Sequence, residues 1–291
     1  MIDATNVALV FEGGGMRNAY TAGCIDRLLA EDVKFGWVGG ISAGATHTVN
    51  FLSRSRERNR KSFVELGADP STGGVKSFLR GTGYFNAEYI YEQIGLPDEA
   101  LPYDFETFAA SDTPLRIAAM NARTGETINW SREDMDTMPK LMKRVRASST
   151  LPGLMPVPEF DGEEYVDGAL GESGGLITQA ALDDGFEKLL ILRTRPRGYE
   201  RKPPRSPQMI RRLLRNRPVV AEAMITRHER YNASVALIDK LEAEGKAHVF
   251  YPDRMKIANT ERNFDRLEQA FNYGVVQTLN EWDDWMRFIE S

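Results

Sequence analysis

Short apolar runs alternate along the chain with stretches in which apolar residues return every three or four positions. These are the periods of buried strands and amphipathic helices. Val7 to Phe11 predicts a buried strand that ends at Gly13-Gly14-Gly15, and Ala22, Ile25, Leu28 and Leu29 predict the helix after it. Trp37 to Ile41 predicts a second strand, and Ala43 to about Ser55 a second helix. Leu115 to Asn121 and Glu126 to Trp130 read as strands, with Thr124-Gly125 as their hairpin turn. Met138 to Ala147 reads as helical, whereas residues 67–83, rich in Gly, Ser and Thr, and residues 148–163, with three prolines, read as irregular. Glu164 to Val166, Lys188 to Thr194 and His248 to Tyr251 are strand candidates. Helical patterns run from Val219 to Gly245 and from Asn263 onward, the latter with Leu267, Phe271, Val275, Leu279 and Trp282 as its apolar stripe. Strands alternating with helices predict an α/β fold with a mainly parallel sheet.

The 291 residues allow one large domain or two small ones and a sizeable core. A single cysteine, Cys24, excludes an internal disulfide framework and fits a cytosolic compartment. Three histidines and one cysteine argue against a Cys/His metal site. No apolar run reaches membrane-spanning length, and the first residues carry neither the basic start nor the apolar stretch of a signal peptide. The net charge of −5 argues against a general nucleic-acid binder, but it is unevenly spread. Residues 193–217 carry ten basic side chains against Glu200 alone, and residues 54–61 carry five against Glu57. Two readings stay open: solvated faces, or surfaces for phosphate or anionic lipid.

Gly40-Ile41-Ser42-Ala43-Gly44 has the G-x-S-x-G spacing, with a strand pattern before it and a helix pattern after it. A serine at so tight a turn projects its hydroxyl, and Gly40 and Gly44 are small because the chain folds back on itself there. The following helix directs free N–H groups and its positive end at the same place. Gly13-Gly14-Gly15-Met16-Arg17 fits either a nucleotide-phosphate loop or an oxyanion hole. Asn18 stands where the nucleotide fingerprint needs glycine, no acid is well placed about twenty residues on, and Ser42 follows the next strand. The oxyanion reading is therefore favoured. A conventional triad needs a histidine. His47 lies on the helix leading away from Ser42, His228 on a charged helix face, and His248 at the amino end of a strand. Asp167, at a strand end before Gly168, is the better proton acceptor if a dry pocket raises its basicity.

Glu12-Gly13-Gly14-Gly15-Met16-Arg17, Gly40-Ile41-Ser42-Ala43-Gly44 and Asp167-Gly168-Ala169, in that order, resemble the motifs of the patatin-like phospholipase family. Ala147 to Pro152 is similar to the family's Ser-Ala-Ala-x-Pro segment, and Arg193 to Pro204 and Arg230-Tyr231-Asn232 resemble a bacterial branch of it. Residues 56–110 resemble it least. The resemblance implies a three-layer α/β/α sandwich. It also implies a single catalytic domain over residues 1–291, with a motif core at about 7–185 and lid-like helical additions at about 195–291. Carried onto this sequence, it makes Ser42 the nucleophile and Asp167 its proton acceptor. The N–H groups around Gly13, Gly14, Gly15 and Met16 become the oxyanion hole, and Arg17 a holder of lipid phosphate. Asn18 replaces a glycine of many members, and Glu12 an aspartate of the plant members.

The resulting expectation is a cytoplasmic serine acyl hydrolase, a phospholipase A or lysophospholipase, that cleaves lipid esters without metal or organic cofactor. Its substrate would be a lipid or acyl ester, with peripheral contact to an anionic inner membrane surface and no nucleic-acid partner. A soluble esterase, thioesterase or acyltransferase using the same serine is one competing reading, and a non-catalytic membrane-surface protein another. Met209, Ile210, Leu213 and Leu214 beside Arg211, Arg212 and Arg215 fit either a packed lid or an interfacial helix.

Overall fold

The computed structural model describes residues 1–74, 77, 81 and 83–291; the rest of the loop expected at 67–83 lies outside the described residues. Strands β1 (Ile2–Phe11), β2 (Val33–Ile41), β3 (Leu115–Asn121), β4 (Thr127–Trp130), β5 (Glu159–Phe160), β6 (Glu163–Asp167), β7 (Leu189–Leu192) and β8 (Ala247–Phe250) form one sheet. Its order is β5-β6-β3-β2-β1-β7-β8, with β4 also on β3. The β3-β2-β1-β7-β8 block is parallel throughout, whereas β4 and β6 run antiparallel to β3. Among the described residues, the helices of six or more residues are α1 (Asn18–Ala30), α2 (Ala43–Leu52), α3 (Arg56–Phe63), α4 (Phe105–Ala110), α5 (Met138–Ser148), α6 (Thr178–Asp183), α7 (Pro207–Leu213), α8 (Pro218–Ala243) and α9 (Phe264–Glu290).

Strand alternation makes the three layers. Val7, Leu9 and Phe11 of β1 face a core shared with α1, α2, α5 and α9, while Ala8 and Val10 face a second core shared with α6 and α8. The fold is thus mixed α/β, a mostly parallel sheet flanked by helices on both faces. Strand β2 begins at Val33, earlier than the apolar run predicts. Its first half alternates buried Val33 and Phe35 with half-buried Lys34 and Gly36, and pairs with Ile2 to Ala4. Among the described residues, no helix is long and apolar enough to cross a membrane.

The C-terminal helix α9 is docked by glycine. A Cβ on Gly274 would lie 1.9 Å from the Tyr20 carbonyl oxygen, and one on Gly23 would lie 2.2 Å from that of Phe271. Helices α1 and α9 therefore meet backbone to backbone. The stripe expected on α9 is corrected at one position, because Leu279 is exposed while Trp282 beyond it packs on the core. Steps of four residues outrun a 3.6-residue turn, so the buried face moves on through Gln277, Thr278, Trp285 and Ile289. Replacing Gly274 by valine forces the two backbones apart and should cost about 1–3 kcal/mol or more, as overpacking does. Urea unfolding reads it; an unchanged midpoint would show that the close crossing does not matter.

Candidate active site

Strand β3 acts as a ruler. Ala118 pairs with Ile41 of β2 and with Asn129 of β4, so β2 and β4 occupy opposite edges. Ala119 pairs with Ile128 of β4 and with Asp167 of β6, so β6 shares the β2 edge. The two strands abut end to end, with Ile41 opposite Ala118 and Asp167 opposite the next residue. This brings together Ser42, just past β2, and Asp167, the last residue of β6, although 125 positions separate them.

The turn at Ser42 has φ 60° and ψ −127°, a conformation that a non-glycine residue holds only under constraint. Its surroundings supply the constraint. A Cβ on Gly40 would sit 2.2 Å from the Gly44 oxygen, and one on Gly44 would sit 2.6 Å from the Phe11 oxygen. Gly168 passes equally close to the Ala118 oxygen, at 2.2 Å for its absent Cβ. The end of α5 and the residues just after it strap both functional residues. Ser148 Oγ donates to the Ala118 oxygen at 2.6 Å and accepts from the Ser42 N–H at 3.0 Å. The Thr150 carbonyl accepts from the Asp167 N–H at 2.8 Å.

Asp167 is 2% exposed, and burial pushes its carboxyl above the usual aspartate range. Arg227, the Ala169 N–H, the Ser42 side chain and Arg201 pull the other way without cancelling the rise. Tyr91, from the segment that resembles the family least, lines the same cavity as Asp167; desolvation raises its phenol pKa. His47 is fully buried against Phe11 and Phe63, with Nε2 facing Thr21 Oγ1 and the Asn18 carbonyl. Burial lowers its pKa to about 3. His228 faces the Ile225 carbonyl, and His248 packs its ring on Trp285 and Phe288.

The glycine loop corrects one expectation. The N–H groups of Gly13 and Met16 are already given to the carbonyls of Gly175 and Asn259, at 3.2 and 3.0 Å. They are not available to an oxyanion. Gly14 and Gly15 N–H have no acceptor among the described residues, and Ala43 and Gly44 open α2, where helix geometry leaves N–H groups free. Asn18, the departure from glycine, donates its side-chain amide to the Gly15 carbonyl at 3.1 Å and so braces the loop.

Beside the loop, Glu12 is buried in a knot. Its carboxylate accepts from Arg193 Nε at 2.9 Å, from the Thr194 N–H at 2.6 Å and from the Tyr231 hydroxyl at 2.6 Å. Burial works to raise its pKa, but Arg193, Tyr231 and Thr194 outweigh burial and hold it below the ordinary range.

Ser42 and Asp167 open on a cavity of about 520 Å³. Apolar side chains such as Val49, Phe63, Leu66, Met142, Val145 and Leu151 are among its lining residues, as are Arg17, Arg195, Arg201 and Arg227. The basic runs of the sequence thus divide. In the first run, Arg54, Arg56, Arg60 and Lys61 are paired with Asp32, Asp26, Glu65 with Glu268, and Glu57. In the second, Arg197, Lys202, Arg211 and Arg217 pair with Glu242, Glu200, Glu222 and Glu164.

Glu12→Gln would leave the Arg193 charge buried without its counter-ion, a loss of about 3–5 kcal/mol. Because the folded pKa of Glu12 lies below the unfolded one, its contribution is complete above the ordinary carboxylate range. It disappears as pH falls through the folded value. Urea titrations of both proteins at neutral and acid pH should therefore differ at neutral pH and converge in acid. Equal stability at neutral pH would contradict this.

The model of a family described as patatin-like phospholipase matches residues 9–180. A second model, described only as a domain of unknown function (DUF6363), matches residues 217–290. The chain is 27% identical over 203 residues to the uncharacterized protein YjjU of Escherichia coli K12, a match covering 65% of this chain and 52% of that protein. It therefore spans about half the length of this relative. In structure it is similar to VipD of Legionella pneumophila, with a TM-score of 0.51 at 12% identity, over 98% of this chain and 66% of that one; this likeness concerns the fold. With the first model covering more than half of the chain, and the expected motifs gathered at one sheet edge, the protein belongs to the patatin-like phospholipase family.

Proposed function

We propose that the protein is a serine acyl hydrolase of lipid carboxylic esters that works through a Ser42–Asp167 dyad. The observation that supports this reading is the end-to-end placement of β2 and β6 on one edge of β3, with a strained serine at the end of one and, at the end of the other, a buried carboxylate whose pKa burial raises, both lining a partly apolar cavity. Ser42 Oγ attacks the ester carbonyl while Asp167 takes its proton. The oxyanion forms against the Gly14 and Gly15 N–H groups and the opening turn of α2. The carbon–oxygen bond to the alcohol then breaks, and Asp167 returns the proton to the leaving oxygen. Water, deprotonated by Asp167, attacks the acyl–Ser42 ester and releases the fatty acid as Ser42 regains its proton. Burial makes Asp167 a stronger base than a surface carboxylate, and that lets the reaction run without histidine.

The cytoplasmic location and the peripheral contact with anionic membrane belong to the same proposal. Helix α7 supports the contact: Met209 and Leu213 are 61% and 75% exposed. Arg205, Arg212 and Arg215 nearby carry no ion pair among the described residues. A lysophospholipid dispersion and short p-nitrophenyl esters should both be hydrolysed, with long acyl chains preferred. Ser42→Ala should lower turnover at least about a thousandfold with an unchanged circular dichroism spectrum. Retained turnover would remove Ser42 from the mechanism. A preference for short monomeric esters would transfer the site to a soluble esterase.

A further inference from the structure

The cavity lining is electrostatically one-sided. It carries seven basic residues against two acids, Asp167 and Glu200. Glu200 is paired with Lys202, and Glu12, just behind the wall, is committed to Arg193. Of the six guanidiniums that remain, Arg58 and Arg262 are given to the Leu101 and Asp69 carbonyls, and the other four, those of Arg17, Arg195, Arg201 and Arg227, have Asp167 as the only uncommitted counter-charge among the lining residues. Arg17 is 8% exposed, and its Nε has no hydrogen-bond partner. Arg227 gives Nε to the Gly174 carbonyl at 3.1 Å. Arg195 stacks over Tyr199 at 4.2 Å, and Arg201 lies 5.9 Å over Tyr231. Aromatic faces orient these two cations without neutralising them.

The four are also close enough to oppose one another. Burial first, and Arg195 next, bring the Arg17 guanidinium down to about 10. Burial, Arg201 and Arg17 bring Arg227 to about 10. Gathering like charges in a partly buried wall costs stability unless an anion arrives. Surface arginines would spread apart, but these are held by a carbonyl, two rings and the glycine loop.

We propose that Arg195, Arg201 and Arg227 build, with Arg17, a subsite for a phosphomonoester, so that the preferred substrate is an acyl ester whose alcohol carries a terminal phosphate. This inference rests on the proposed acyl hydrolysis. Four guanidiniums against one aspartate leave about three uncompensated positive charges. A dianionic phosphate with three acceptor oxygens matches that better than a phosphodiester or a neutral head group, and guanidiniums bind it through paired N–H groups. The same cavity is also lined by apolar side chains, among them Val49, Phe63, Met142 and Val145, that can contact the acyl chain. Only Arg17 lies in the segment matched by the patatin-like model. Arg195 and Arg201 fall between the two matched segments, and Arg227 belongs to the one described as a domain of unknown function. In this account the C-terminal third gives the hydrolase its head-group selectivity.

The test compares three esters of one acyl chain in neutral detergent micelles: 1-oleoylglycerol 3-phosphate, 1-oleoylglycerophosphocholine and 1-oleoylglycerol. The first should exceed the last in kcat/KM by about tenfold or more, and the preference should fall with salt. Arg195→Gln and Arg201→Gln should each shrink the ratio at least about fivefold, mainly through KM. Equal kcat/KM for the three esters, or a ratio unmoved in both variants, would overturn the subsite while leaving the hydrolase intact. Calorimetry on the Ser42→Ala protein separates the two proposals, because it reads the subsite without turnover. Glycerol 3-phosphate should bind, and bind more weakly in the added presence of Arg201→Gln; inorganic phosphate alone distinguishes a free-phosphate site from a head-group site, since it should bind less tightly than glycerol 3-phosphate. No binding of glycerol 3-phosphate would overturn the subsite, and tighter binding of inorganic phosphate would overturn its assignment to a head group. Failure of all three esters despite glycerol 3-phosphate binding would instead reject the hydrolase reading.

Discussion

One edge of one strand organises this molecule. Strand β3 accepts β2 along its first half and the reversed β6 along its second, and β4 closes its other side. Backbone pairing in steps of one residue fixes where each strand stops. Ser42 and Asp167 meet because their strands end at neighbouring positions of the same partner. A one-residue slip of β6 would turn its side chains to the opposite face and carry Asp167 away. The close approaches of Gly40, Gly44 and Gly168 follow from the same crowding, since three chain segments converge where the strands abut. Ser148 and Thr150 add polar bonds that hold the two ends in place.

A second constraint ties the C-terminal third to this edge. The Glu12 knot joins the end of β1, the end of β7 and helix α8 through Arg193, Thr194 and Tyr231. Strand β8 extends the same sheet beyond β7, and α9 closes on α1. The cavity wall is therefore built by distant parts of the sequence. It sets two opposed fields on Asp167: burial, which strengthens the carboxylate as a base, and the arginines, which weaken it. An anion bound to those arginines would reduce the second field, so head-group binding and base strength act in the same direction.

The parts of the site that are local in sequence were legible in it. The glycines around Ser42 follow from the geometry of a tight strand-to-helix turn, and Asp167-Gly168 marks a strand end. The helices and most strands follow from periodicity, because one face of each is buried. What depended on partners far along the chain was not visible. Gly13 and Met16 look like oxyanion donors until Gly175 and Asn259 claim their N–H groups. Ser148 stood inside a recognised segment, but nothing local assigned it a bond to Ser42, and Tyr91 carried no chemical signature of its own. The arginines of residues 193–217 read as a single basic run. Only the fold separates Arg193 in its buried pair, Arg197 and Arg217 on the surface, and Arg195 and Arg201 at the cavity. The stripe on α9 holds at Leu267, Phe271, Val275 and Trp282 and misses at Leu279 for a geometric reason: steps of four residues drift around a helix that turns every 3.6.

The most direct measurement of the central claim is the rate at which a fluorophosphonate forms a covalent adduct, followed by intact-protein mass spectrometry in wild type and Asp167→Asn. It isolates the attack step from substrate preference and from deacylation. If Asp167 is the base for Ser42, the wild type should gain one adduct, located on Ser42. Asp167→Asn should react at least about a hundredfold more slowly at the same urea midpoint. Adduct formation at an undiminished rate in Asp167→Asn would contradict the dyad.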